Sequence, residues 1–115
     1  MIKNKRVAIT GLGVVSPLGV GIEKYRLNLN KGTIFLKEIS QLTNKKEFSG
    51  RVAFIVDELD FDKYYKNLKS DYIPRSTKLL LVSVKLALRD AGLLDNISYG
   101  RNKCGVFTST LNSNI

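Results

Sequence analysis

The 115-residue chain holds one cysteine and no histidine, so it can form no internal disulfide and can do no imidazole chemistry of its own. Its 19 Lys and Arg against 10 Asp and Glu give a net charge of +9, with nine basic against three acidic residues in 1–50 and ten against seven in 51–115. That balance attracts polyanions without choosing among nucleic acid, membrane headgroups and acidic proteins.

Residues 6–19 open with an apolar, β-branched run that breaks at Gly11 and Gly13, resumes for two valines and stops at Ser16-Pro17. This is the pattern of a buried strand that leads into a tight glycine bend. A strand ending in Gly-x-Gly suggests a dinucleotide-binding turn, but the third glycine is replaced by Ser16 and Pro17 follows where the helix should begin. Gly11 and Gly13 are therefore read as packing residues that let backbone approach closely. The preceding basic residues lead into a stretch broken by Thr10 and the glycines, with no cleavage pattern, so it is no signal peptide. No apolar run reaches the roughly 20 residues of a membrane span. The expectation is a cytoplasmic protein.

A short helix follows over 21–30, with Lys31-Gly32 as its stop. Residues 33–39 read as a short extended piece, 41–47 as a loop and 51–56 as a second strand. Asp57, Glu58, Asp60 and Asp62 mark a turn, with Asp60 the N-cap of a helix over 61–68. Paired carboxylates can hold metals or do acid-base work, but these lack the glycine and final glutamate of a calcium loop and suit a solvated helix start. Tyr64, Tyr65 and Tyr72, with Phe61, are expected to cover the edge of the core. The longest helix is expected over 76–91, capped by Ser76 or Thr77 and ended by Gly92. Its apolar residues lie on more than one side, which suggests burial between layers with only Lys78, Lys85 and Arg89 facing solvent. Cys104 stands in Asn-Lys-Cys-Gly-Val-Phe-Thr-Ser-Thr; a thiol inside an apolar strand behaves as a small buried hydrophobe and a poor nucleophile.

The glycine-bearing segment, Arg-Val-Ala-Ile-Thr-Gly-Leu-Gly-Val-Val-Ser-Pro-Leu-Gly, closely resembles the opening strand and loop of the β-ketoacyl-acyl carrier protein synthases. Further stretches resemble that family in its order: Lys31-Gly32, Phe48-Ser49-Gly50-Arg51-Val52, Phe61-Asp62, and the run from Arg75 through Ala87-Leu88-Arg89-Asp90-Ala91-Gly92-Leu93. The resemblance implies a thiolase-like α/β fold, of which this chain is a partial N-terminal half: a mixed sheet with one long buried helix, in a single partial domain over 1–115. It implies the decarboxylative Claisen condensation of fatty acid or polyketide synthesis as the family's reaction. That reaction uses a nucleophilic cysteine and, in the usual type, two histidines, none of which this chain supplies. No residue here is therefore assigned a catalytic, cofactor-binding or metal-binding role, and no cofactor is implied.

Two stretches depart from the family's pattern. Tyr72-Ile73-Pro74-Arg75-Ser76 keeps an arginine but loses its acidic and aromatic neighbours, and Thr108-Ser109-Thr110-Leu111-Asn112-Ser113 stands where the family has a glycine-rich turn.

At this length a chain can bury roughly two-thirds of its unfolded surface. Three strands and a broadly apolar helix nevertheless leave edges and apolar surface bare. The expectation is a protein partner, either a second copy or a complementary synthase chain, unless the chain settles into a smaller closed arrangement. An acyl carrier protein, acidic in this family, is a further candidate. Against nucleic acid, the basic residues are scattered and no RNA-binding or zinc-finger signature occurs. Two functions follow. One is the N-terminal segment or accessory chain of a β-ketoacyl synthase, inactive alone; the other is a non-enzymatic protein that binds a carrier protein or synthase through its basic face.

Overall fold

A computed structural model describes residues 6–41, 43, 47, 49–56, 59–94 and 105–111. Among the described residues the elements are, in order, β1 (Val15–Ser16), β2 (Gly19–Val20), α1 (Ile22–Asn30), β3 (Leu36–Glu38), β4 (Val52–Phe54), α2 (Phe61–Tyr64) and α3 (Arg75–Asp90), with 3-10 turns at Ile39–Gln41 and Ser70–Tyr72.

The sheets are two separate antiparallel pairs, β1 with β2 and β3 with β4. No mixed sheet forms among the described residues. Pro17 and Leu18 turn the first pair, whose register is Val15 opposite Val20 and Ser16 opposite Gly19. The expected strand ahead of it joins no ladder over residues 6–14. No strand pairs with it among the described residues, and Val7 is 91% exposed. The extended piece expected over 33–39 and the strand over 51–56 do pair, at Leu36 opposite Phe54 and Glu38 opposite Val52.

Both long helices end as their sequences indicate. In α1 the Gly32 and Thr33 N–H groups return to the Leu29 and Asn28 carbonyls, and in α3 those of Gly92 and Leu93 return to Arg89 and Leu88. These paired bonds satisfy carbonyls left over by each last turn, and Gly92 meets the required left-handed geometry at φ 69°. The start of α3 differs from expectation. Pro74 occupies the cap position and no side chain caps the helix; proline's fixed φ and missing N–H suit a helix entrance, so Ser76 and Thr77 fall inside the first turn. The helix expected over 61–68 stops at Tyr64 because Tyr65 leaves the helical region, at φ −135° and ψ 73°. Asp60 does cap it, accepting from the Lys63 N–H at 3.1 Å.

The core is small. Val82 on α3 and Phe61 on α2 are its buried apolar side chains among the described residues. The expected burial of α3 on most sides is corrected: Leu80, Val84 and Leu88, at i, i+4 and i+8, are 41–47% exposed. Lys78 and Lys85, expected in solvent, are instead half-buried over aromatic rings. The radius of gyration is 17.9 Å, against about 13 Å for a compact domain of this length. Accessible surface is 10481 Å², where a folded monomer of this mass exposes about 6,300 Å².

Candidate functional site

The residues singled out in the sequence meet along one seam. Gly11 and Gly13 run against the C-terminal half of α3, where a Cβ on Gly11 would lie 2.7 Å from the Ala91 nitrogen and one on Gly13 would lie 2.7 Å from the Ala87 nitrogen. Both would also collide with carbonyl oxygens, of Ala87 and Ser83 respectively. Glycine on one side and Ser83, Ala87 and Ala91 on the other make this approach possible.

Polar contacts fix the register of the seam. The Leu12 N–H donates to the Asp90 carboxylate at 2.9 Å, and the Ser83 hydroxyl donates to the Gly13 carbonyl at 2.7 Å. These bonds serve backbone groups that no strand partner reaches. They also give the Arg89-Asp90-Ala91-Gly92 run its structural meaning: Asp90 holds the incoming chain, Ala91 makes room for it and Gly92 ends the helix. Little in the sequence marks these bonds: the signal is a short polar side chain, Ser83 between two valines and Asp90 in the last turn of α3. Asn28 extends the arrangement from α1, donating to the Leu18 carbonyl at 2.7 Å.

A second cluster joins α2 to α3. The Phe61 and Tyr65 rings stack at 5.2 Å, and the Tyr65 hydroxyl donates to the Leu81 carbonyl at 2.8 Å. The Lys85 ammonium lies 4.6 Å from the Tyr65 ring centre and donates to the Tyr64 carbonyl. Burial raises the Tyr65 phenol above its ordinary 10.0 by penalising the phenolate. Phe61, Tyr64 and Tyr65 thus cover the core edge as expected, whereas Tyr72 is 85% exposed and does not. The Arg75 guanidinium, retained at the entrance to α3, donates to the Val56 carbonyl and so ties that helix to the segment after β4.

Of the acids, Asp60 caps α2 and Asp62 is exposed; Asp57 and Glu58 lie outside the described residues. Cys104 and Asn112 also lie outside them. Among the described residues no three His, Cys, Asp or Glu side chains gather as a metal site, and no helix is long and apolar enough to cross a membrane. Beside the N-terminal turns of α3, Ser76, Thr77 and Leu80 face Phe107, Thr108, Ser109 and Thr110 across an open cleft of about 430 Å³. The site's resource is surface: a glycine seam already closed on one side of α3, and an uncovered apolar stripe on another.

Comparison with known proteins agrees with the segment order. The family described as "Beta-ketoacyl synthase, N-terminal domain" matches residues 4–114. The chain is 33% identical over 109 residues to the tetracenomycin polyketide synthase ketoacyl synthase alpha subunit of Streptomyces glaucescens, covering 92% of this chain and 24% of that protein. It is 27% identical over 106 residues to the chloroplastic 3-oxoacyl-[acyl-carrier-protein] synthase II of Arabidopsis thaliana, covering 90% and 19%. It is also 27% identical over 93 residues to 3-oxoacyl-[acyl-carrier-protein] synthase 2 of Staphylococcus aureus, covering 81% and 22%. The chain thus spans about a quarter or less of these relatives. No solved structure matches it.

Proposed function

We propose that this chain, which belongs to the β-ketoacyl synthase family through its N-terminal domain, is a single partial domain that supplies the structural beginning of a cytoplasmic condensing enzyme. The reaction is the decarboxylative Claisen condensation that extends an acyl chain in fatty acid or polyketide synthesis. Its cysteine and histidines come from polypeptide outside these 115 residues, continuous with them or in a second chain, because this sequence contains no histidine at all.

The seam carries this reading. Gly11, Gly13, Asp90, Ala91 and Gly92, all within the segments that resemble the family, converge on one joint between the opening segment and α3. Their work there is to hold two elements in register, which is a scaffold's task rather than a reacting group's. Bare apolar side chains on α3 and on β4 then offer the rest of a synthase something to bury.

The test is complementation. The chain is co-expressed with a cysteine- and histidine-bearing remainder of a related synthase, and condensation of acyl and malonyl carrier-protein thioesters is followed. Turnover that needs both parts supports the proposal. Stable association without turnover supports a non-enzymatic binding protein, and neither association nor turnover refutes both.

A further inference from the structure

Lys63 on α2, Lys66 just after it and Lys85 on α3 line one shallow depression of about 370 Å³, together with Tyr64, Tyr65, Asn67 and Leu68. No carboxylate is part of that lining. Asp60, close by in sequence, is turned to cap α2, and among the described residues none of the three lysines forms an ion pair. Three like charges that line one depression repel, the exposed Asp62 beside Lys63 forms no ion pair with them, and an arriving anion relieves that repulsion.

The three cations are not equivalent. Lys63 and Lys66 are exposed, but Lys85 is half-buried, with its ammonium held by the Tyr64 carbonyl and set over the Tyr65 ring. That ring is itself pinned by its bond to the Leu81 carbonyl and its stack on Phe61. One positive charge is therefore fixed in place before any ligand arrives, which removes part of the ordering cost of binding. An ammonium carries three donors, of which the Tyr64 carbonyl takes one.

We propose that this depression binds a compact phosphate-bearing small molecule. Lys85 is the fixed anchor and Lys63 and Lys66 are the mobile cations that close on it. Phosphate suits the site because several oxygens on one centre can accept from separate ammonium groups, each acting as a point charge. The depression is open and wide enough to admit a pyrophosphate or a phosphomonoester headgroup. This inference does not depend on the synthase reading, since it stands on α2 and α3 alone.

The probe is inorganic pyrophosphate, titrated into the full chain at constant ionic strength and followed by backbone amide chemical shifts. Saturable shifts centred on residues 63–68 and 85 are expected. Lys85→Met and the double variant Lys63→Ala/Lys66→Ala should each weaken binding about tenfold, the worth of one charge-assisted hydrogen bond. Lys24→Ala/Arg26→Ala on α1, which removes as much charge elsewhere, should leave it unchanged. Equal weakening by the α1 variant would mean only the diffuse field of a +9 chain and would overturn the site, as would shifts that never saturate or tighter binding of an acidic peptide at the same residues. If Lys85→Met fails to fold, the Lys63/Lys66 variant decides.

Discussion

Gly13 has no room for even a methyl group, since a Cβ there would press into the Ser83 carbonyl while lying 2.7 Å from the Ala87 nitrogen. Both obstacles are helix backbone, which cannot rotate aside as a side chain can. Gly13→Ala is therefore expected to destabilise the chain by about 1–3 kcal/mol through overpacking, read as a lower urea midpoint. Asp90→Ala should cost about 1 kcal/mol by removing the acceptor of the Leu12 N–H, with the loss visible as faster hydrogen exchange of that amide. Tyr65 adds a pH dependence. Burial raises its phenol above 10.0 in the folded state, so its contribution is fully present below the unfolded value near 10 and is lost as pH climbs through the raised one. Denaturation midpoints should fall above pH 10, and less so in Tyr65→Phe; an equal fall in both chains would remove Tyr65 as the cause.

At the scale of elements, the joint between α2 and α3 bears the packing, with Phe61 4% exposed beneath Lys78 and against Tyr65. Phe61→Ala is expected to cost about 3–5 kcal/mol, enough to abolish cooperative melting by circular dichroism in a chain with so small a core. What was legible in the sequence follows local chemistry. Asp60 as a cap, Gly92 as a stop and Gly11 and Gly13 as packing residues depend on a few neighbouring atoms and were all readable. The face that α3 buries was not readable, because leucines on several sides describe a helix with neighbours all round without saying which are present. The outcome is inverted: Lys78 and Lys85 lie over rings because aliphatic stems cover apolar surface as leucine does, and Leu80, Val84 and Leu88 face outward. Residues 6–14 failed as a strand for the same reason, since a ladder requires a partner that periodicity cannot supply.

For the molecule as a whole, the β3–β4 pair shows how much apolar surface lies bare. Successive side chains alternate between faces, and the exposed residues are Leu36, Glu38, Val52 and Phe54, while Lys37 and Ala53 are half-buried. A free-standing domain would turn that arrangement over, placing phenylalanine inside and lysine out. Phe54 at 65% and Phe107 at 96% exposure belong with the accessible surface of 10481 Å², which exceeds the compact value by about 4,000 Å². A standard docking interface takes only about 800 Å² from each partner. The bare surface thus calls for cover on the scale of a domain core, of the kind the proposed remainder of a synthase would provide. The chain alone is expected to bind a dye for exposed apolar surface and to elute ahead of a compact protein of 12.9 kDa. Adding the complementary part of a synthase should suppress the dye signal and protect Leu36, Val52 and Phe54 amides from exchange. A chain that elutes as a compact monomer and leaves the dye dark would show that these faces close on themselves, and the synthase reading would then lose its physical motive.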